Sequence, residues 1–244
     1  MRSMKKPVCA VVGIGPGNGA AFVRRFVEEG YAVAALSRFG SSSGSGADKL
    51  GSDITADSPD VHAYPCDVTD PAAVGAAFDR VTAELGDVSV LVYNAGSGMW
   101  GTIEELTPAD FEASWRVNAL GAFVVSQKVI PAMKRAGRGN IVFIGATASR
   151  RGVAKTAVFA PAKAAQRSLA ESMARHLWPA GIHVSLVVVD GVIDSPRVRE
   201  RMPNQGDDFF LNPDDIADAV VRLTEQPRSA WSLEIEVRPF GEKW

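Results

Sequence analysis

Cysteine, histidine and tyrosine are scarce in this 244-residue chain, which holds two, three and three of them. Two cysteines, Cys9 and Cys66, exclude a disulfide-stapled scaffold and read as buried thiols. Three histidines without ligand spacing (His62, His176, His183) argue against a metal site, and none is expected. Neither sign of charge dominates. The 26 basic and 28 acidic residues leave a net charge of −2, which argues against a nucleic-acid partner, since such binders carry a basic domain or stripe. No apolar run approaches the ~18 residues of a membrane span, so no membrane partner is expected. The basic segment 1–6 leads into an apolar run too short for a signal peptide, and a cytoplasmic protein is expected.

What is present is an ordinary apolar share, 46%, in a telling order. Short apolar runs at 8–12, 32–36, 61–64, 88–92, 141–144 and 183–189 are mostly continuous rather than alternating. Such runs suit strands covered on both faces, as in a parallel sheet. Helical stretches lie between them. Asp70-Pro71, Thr107-Pro108 and Asn212-Pro213 each place a polar cap before a proline that needs no N–H partner at the first helical position. Strand–helix alternation along the whole chain implies an α/β, doubly wound parallel sheet, as one domain over residues 1–244. The stretch 38–60 departs from the pattern. It is rich in Ser and Gly and reads as a flexible crossover with at most a short helix near 47–50, either a plain surface loop or a lid.

The first run feeds Gly13-Ile14-Gly15-Pro16-Gly17-Asn18-Gly19 and then a helix. Glycine lets a backbone approach closely, and a helix N-terminus offers unpaired N–H groups, which together suit a pyrophosphate. The dinucleotide fingerprint G-x-G-x-x-G/A fits only as Gly15-x-Gly17-x-x-Ala20, a weak match. The second run ends at Ser37-Arg38, with no carboxylate to bond a ribose 2′-hydroxyl. Arginine there suits a 2′-phosphate, so NADP(H) is favoured over NAD(H).

Taken with its other landmarks, the chain resembles the short-chain dehydrogenase/reductase family nearly end to end. The family's T-G-x-x-x-G-x-G loop reads Val12-Gly13 through Gly19, and its Asp-Val pair reads Asp67-Val68. Its N-N-A-G stretch reads Tyr93-Asn94-Ala95-Gly96. The catalytic asparagine matches Asn118, and the P-G turn reads Asp190-Gly191, losing its proline. The resemblance implies a Rossmann-like sheet of seven parallel strands and a helix pair that builds homodimers or homotetramers. It implies cofactor contacts from Gly13, Gly15, Gly17, Asn18, Gly19, Ser37, Arg38, Asp67, Val68, Asn94, Ala95, Gly96, Lys163, Gly191 and Ile193. Segment 194–211 would cover a substrate, with Arg197, Arg199 and Arg201 either an anion-binding lid or a solvated face. Met99, Trp100, Phe159 and Trp178 are candidates for an apolar pocket wall or for core.

The family's Y-x-x-x-K falls on Phe159-Ala160-Pro161-Ala162-Lys163, so the tyrosine is phenylalanine. The family's serine, 13 residues earlier, is Ala146. Asn118 and Lys163 alone remain of four catalytic groups. No register slip restores them, because none of Tyr31, Tyr64 and Tyr93 lies four residues before a lysine. General acid–base catalysis is worth about 10²–10⁴-fold and one oxyanion donor about 10²–10³-fold. The resulting expectation is an NADP(H)-binding homologue without standard carbonyl chemistry. One alternative is an active oxidoreductase whose proton comes from Thr147, Ser149, Thr156, Tyr93, water or substrate. Thr147 is expected to point away from Ala146, as strand neighbours do unless the strand end bulges. The other alternative is an assembly protein without nucleotide.

Overall fold

A computed structural model of the chain describes residues 5–38 and 58–241. The proposed flexible crossover and its short helix near 47–50 lie almost wholly outside these residues. All six apolar runs form strands: β1 Val8–Val12, β2 Ala32–Ser37, β3 Val61–Pro65, β4 Val88–Tyr93, β5 Gly139–Ala146 and β6 Ile182–Val189. A short parallel pair follows, β7 Val192–Ile193 with β8 Phe210–Leu211. The seventh strand of the main sheet is β9, Glu234–Val237. It was not among the apolar runs because its four residues alternate acidic and apolar at the sheet edge.

The sheet order is β3-β2-β1-β4-β5-β6-β9, with every neighbouring pair parallel. Parallel strands need crossovers, and these put helices on both faces. One face is covered by α2 (Pro71–Glu84), α4 (Gly121–Ala136) and α5 (Phe159–Leu177), around Phe78, Tyr93, Phe143 and Leu186. The other face is covered by α1 (Asn18–Glu28) and α7 (Pro213–Thr224), around Phe22, Phe26, Val90 and Val220. α3 (Pro108–Trp115) runs through a π-helical turn, Arg116–Leu120, into α4, and the short α6 is Pro196–Arg201.

The caps form as the sequence predicts. Asp70 accepts from Ala72 N at 2.8 Å, Asn212 accepts from Asp214 N at 3.0 Å, and Thr107 and Asp110 form a reciprocal capping box. Each such cap satisfies N–H groups that a helix start leaves unpaired. Pro161 falls in the first turn of α5, where it breaks no helical bond. Strand order reverses between β1 and β4, so the crevice at their carboxyl ends is where a doubly wound sheet places its ligand. No described helix is long and apolar enough to cross a membrane.

Candidate active site

The glycine turn after β1 is shaped by contact rather than by mobility. Gly13 has φ +96°, and a Cβ there would stand 2.3 Å from Ala95 N. The loop after β4 therefore crosses directly over it, and Asn94 Nδ2 donates to Gly13 O at 2.6 Å. A Cβ on Gly19 would stand 2.7 Å from Gly13 O, so Gly19 seats α1 against the turn. The Gly17 cap of α1 carries no side-chain hydrogen bond, leaving a backbone cradle at the helix N-terminus.

Two adjoining cavities open along this crevice and share Asn94 and Gly96. One, of about 650 Å³, is lined by Gly13, Gly15, Ser37, Arg38, Cys66, Asp67, Val68, Ala95 and Arg116, among others. Asp67 accepts from Thr69 N and Oγ1 at 2.9 and 2.7 Å, which holds its carboxylate in the loop. Both cysteines are buried, and burial pushes the Cys66 thiol up to about 11. The second cavity, of about 470 Å³, is lined by Asn18, Gly96, Trp100, Ala146, Thr147, Arg151, Phe159, Lys163, Gly191 and Ile193, among others. Of the residues matched to cofactor contacts, Gly17 and Gly19 lie on neither wall. Gly17 instead stands where a Cβ would be 3.7 Å from Ile193 Cγ2.

Lys163 is 5% exposed, on the inner face of α5. Its Nζ donates to Ile144 O at 2.9 Å and Gln166 Oε1 at 3.1 Å, and burial brings its ammonium down to about 8. Asn118 lies in the π-helical turn. Its Nδ2 donates to Ser114 O at 2.9 Å and Ser97 O at 3.3 Å, while its main-chain carbonyl accepts from Gln166 Nε2 at 3.0 Å. Gln166 thus ties the two retained residues together. The sequence reading missed it, although its place three residues after Lys163 on one helix was the available signal. Asn118 Oδ1 and Asn18 Oδ1 are buried without a hydrogen-bond partner among the described residues. Open acceptors beside a glycine cradle and an elongated double cavity fit a dinucleotide, which is long and rich in hydroxyl and amide donors.

Phe159 and Ala146, the two positions that the resemblance matches to the family's hydroxyls, both lie on the second cavity's wall. The Phe159 ring packs against Trp100 with centroids 5.8 Å apart. Met99 is not on that wall, and Trp178 packs far from it against His183 and Trp231, as core. Tyr93 is fully buried, its hydroxyl donating to Val117 O at 2.6 Å, so it is unavailable as a proton donor. Ser149 is buried and lies on neither cavity wall, its oxygen accepting from Ala146 N at 3.1 Å, and the Thr156 hydroxyl donates within its own loop to Val153 O.

Thr147 corrects an expectation. A 3-10 turn, Thr147–Ser149, begins where β5 stops, so strand alternation ends at Ala146 and both residues reach the cavity wall. The Thr147 hydroxyl donates to Asp190. In segment 194–211 the three arginines divide. Arg199 grips Asp194 with two bonds of 2.7 Å, reaches Asp207 at 2.7 Å and stacks on Phe210, which makes it an internal latch rather than an anion site. Arg197 and Arg201 are exposed. His176 meets Lys134, His183 stacks on Trp231, and no cluster of three metal-ligating side chains occurs among the described residues.

Residues 7–206 match the family model described as short chain dehydrogenase. The chain is 34% identical over 189 residues to the 3-oxoacyl-[acyl-carrier-protein] reductase MabA of Mycobacterium tuberculosis, covering 78% of this chain and 70% of that protein. A short-chain dehydrogenase from Rhodopseudomonas palustris superposes with a TM-score of 0.79 at 32% identity, covering 96% of this chain and 98% of that one. A metagenomic short-chain oxidoreductase in complex with NADP gives a TM-score of 0.79 at 29% identity, with 96% of each chain covered. Sequence motifs, sheet topology and these likenesses converge: the chain belongs to the short-chain dehydrogenase/reductase family of nicotinamide-dependent oxidoreductases.

Proposed function

We propose that this protein binds NADP(H) in preference to NAD(H) but does not carry out the ordinary carbonyl–alcohol interconversion of its family. The cofactor preference is supported by the sequence Ser37-Arg38 at the end of β2, which places a hydroxyl and a guanidinium rather than Asp or Glu at that position on the wall of the larger cavity. A carboxylate at that place would repel a 2′-phosphate, while a guanidinium grips it with paired, charge-assisted bonds. Gly13, Gly15 and the α1 cradle would hold the pyrophosphate, and Asp67 and Val68 would border the adenine. Lys163 and Asn94 would meet the nicotinamide half, where the bound cofactor supplies or accepts a hydride.

The loss of turnover rests on one observation. At the cavity wall Phe159 and Ala146 offer a ring and a methyl group, and the hydroxyls on that wall, of Thr147 and Thr156, have their protons held by Asp190 and Val153 O. Lys163 stays bonded to Ile144 O and Gln166, orienting rather than relaying. Losing an acid–base group and an oxyanion donor costs at most about 10⁴–10⁷-fold together, an upper bound because such groups act as a unit.

Fluorescence titration with NADPH and NADH tests the binding, with micromolar affinity and NADPH tighter as the expected result. Equal affinities would remove the role assigned to Arg38, and no binding would point to an assembly protein. Incubation with NADPH and a panel of ketones and aldehydes is expected to leave absorbance at 340 nm unchanged, and brisk oxidation would overturn the reading. The double variant Phe159→Tyr with Ala146→Ser is expected to raise carbonyl reduction at least about 10²-fold over that background. We propose further that the protein is a homodimer or homotetramer, since Phe111, Trp115 and Phe123 stand exposed on α3 and α4.

A further inference from the structure

Two departures from the family pattern meet in space. The hydroxyl missing at Ala146 reappears one residue later on Thr147, and the proline missing from the P-G turn is replaced by Asp190. The Thr147 hydroxyl donates to one oxygen of the Asp190 carboxylate, and the Arg238 guanidinium holds the other. Asp190 is 5% exposed, and its N–H donates to Val237 O on β9 at 2.9 Å. Arg238 also reaches Glu236 at 3.2 Å. A carboxylate accepts and does not donate, so the single proton of Thr147 is committed away from the cavity. What Thr147 offers a molecule on the cavity side is lone pairs alone.

We infer that Thr147, locked by Asp190 and Arg238, makes the 470 Å³ cavity selective for ligands that present a hydrogen-bond donor, such as a hydroxyl or amine, over the matching carbonyl compounds. This inference rests on the reading of that cavity as the substrate side of the site. A carbonyl oxygen placed against Thr147 meets a second acceptor. An alcohol in the same place donates to it. The apolar partners are at hand, because Trp100, Phe159, Val153, Val189 and Ile193 line the same space. Thr147 is here a specificity-determining residue, and Asp190 and Arg238 are positioning residues behind it.

The probes are 1-phenylethanol and acetophenone, which differ by two hydrogens and share their ring and methyl group. Their dissociation constants are measured by ligand-observed NMR on the full chain, alone and loaded with NADP⁺. The expected result is tighter binding of the alcohol by about fivefold, the worth of one neutral hydrogen bond. Thr147→Val is expected to bring the ratio to about one, and Thr147→Ser, which keeps the hydroxyl, to retain it. Asp190→Asn, which gives the carboxylate's place a group able to donate, is expected to weaken the preference by an independent route. Equal affinities in the unaltered protein, a preference for the ketone, or an alcohol preference that survives Thr147→Val would each overturn the inference. Absorbance at 340 nm in the NADP⁺ samples reports separately on turnover. NADPH appearing there would overturn the proposed loss of activity, while the affinity ratio alone decides the role of Thr147.

Discussion

Lys163 is held in the interior by Ile144 O and Gln166 Oε1, and burial lowers its ammonium from the ordinary 10.5 to about 8. Between those values the unfolded chain binds more protons at this side chain than the folded one. Its contribution to stability therefore rises with pH across that window. The penalty for the buried charge, about 3 kcal/mol, is fully present below pH 8 and relieved by pH 10.5. Lys163→Met is expected to lose this slope. Urea unfolding of both proteins at pH 7, 8.5 and 10 measures it, and a stability difference that stays constant across the three would disprove the assignment. The spacing of Phe159 and Lys163 made this lysine legible in the chain. Its bond to Gln166, and through Gln166 to Asn118, was not, because the three-residue spacing marks a shared helix face but not which partner across the fold the side chain takes.

The glycine turn and its helix stand or fall together. Gly13→Ala would combine an unfavourable φ of +96° with a Cβ 2.3 Å from Ala95 N, a backbone atom that cannot swing away. Strain and overpacking of this kind are worth about 2–4 kcal/mol. The variant is expected to lower the urea midpoint and abolish NADPH binding, whereas Gly15→Ala, which meets nothing within 4 Å, should leave stability nearly unchanged. Equal stability of the two variants would count against the crossing of the β4 loop over Gly13. Local chemistry wrote three of the seven described helix starts openly, since Asp70, Thr107 and Asn212 cap helices at the predicted residues. β9 stayed hidden because a half-buried edge strand of alternating acidic and apolar residues carries no continuous run. The turn at Thr147–Ser149 stayed hidden too, since the end of a strand depends on what its neighbours allow.

At the level of the assembled protein, Phe111 and Trp115 on α3 and Phe123 on α4 are exposed. Light scattering on the purified protein is expected to give the mass of two or four chains. Phe123→Asp, a charge set at one of these positions, is expected to lower the mass toward 25.9 kDa. A monomer in the unaltered protein would end that proposal. The intramolecular organisation separates into two kinds of information. Apolar runs, caps and the glycine turn are local signals, so residue order alone was enough for the class of fold, the place of the crevice and the absence of tyrosine at 159 and serine at 146. The bond that secludes the Tyr93 hydroxyl on Val117 O and the bonds from Thr147 to Asp190 and on to Arg238 join residues distant in the chain or turned by a strand end. Such bonds are chosen by the competition of many polar groups for few partners in a packed interior, and that competition exists only after the sheet has closed.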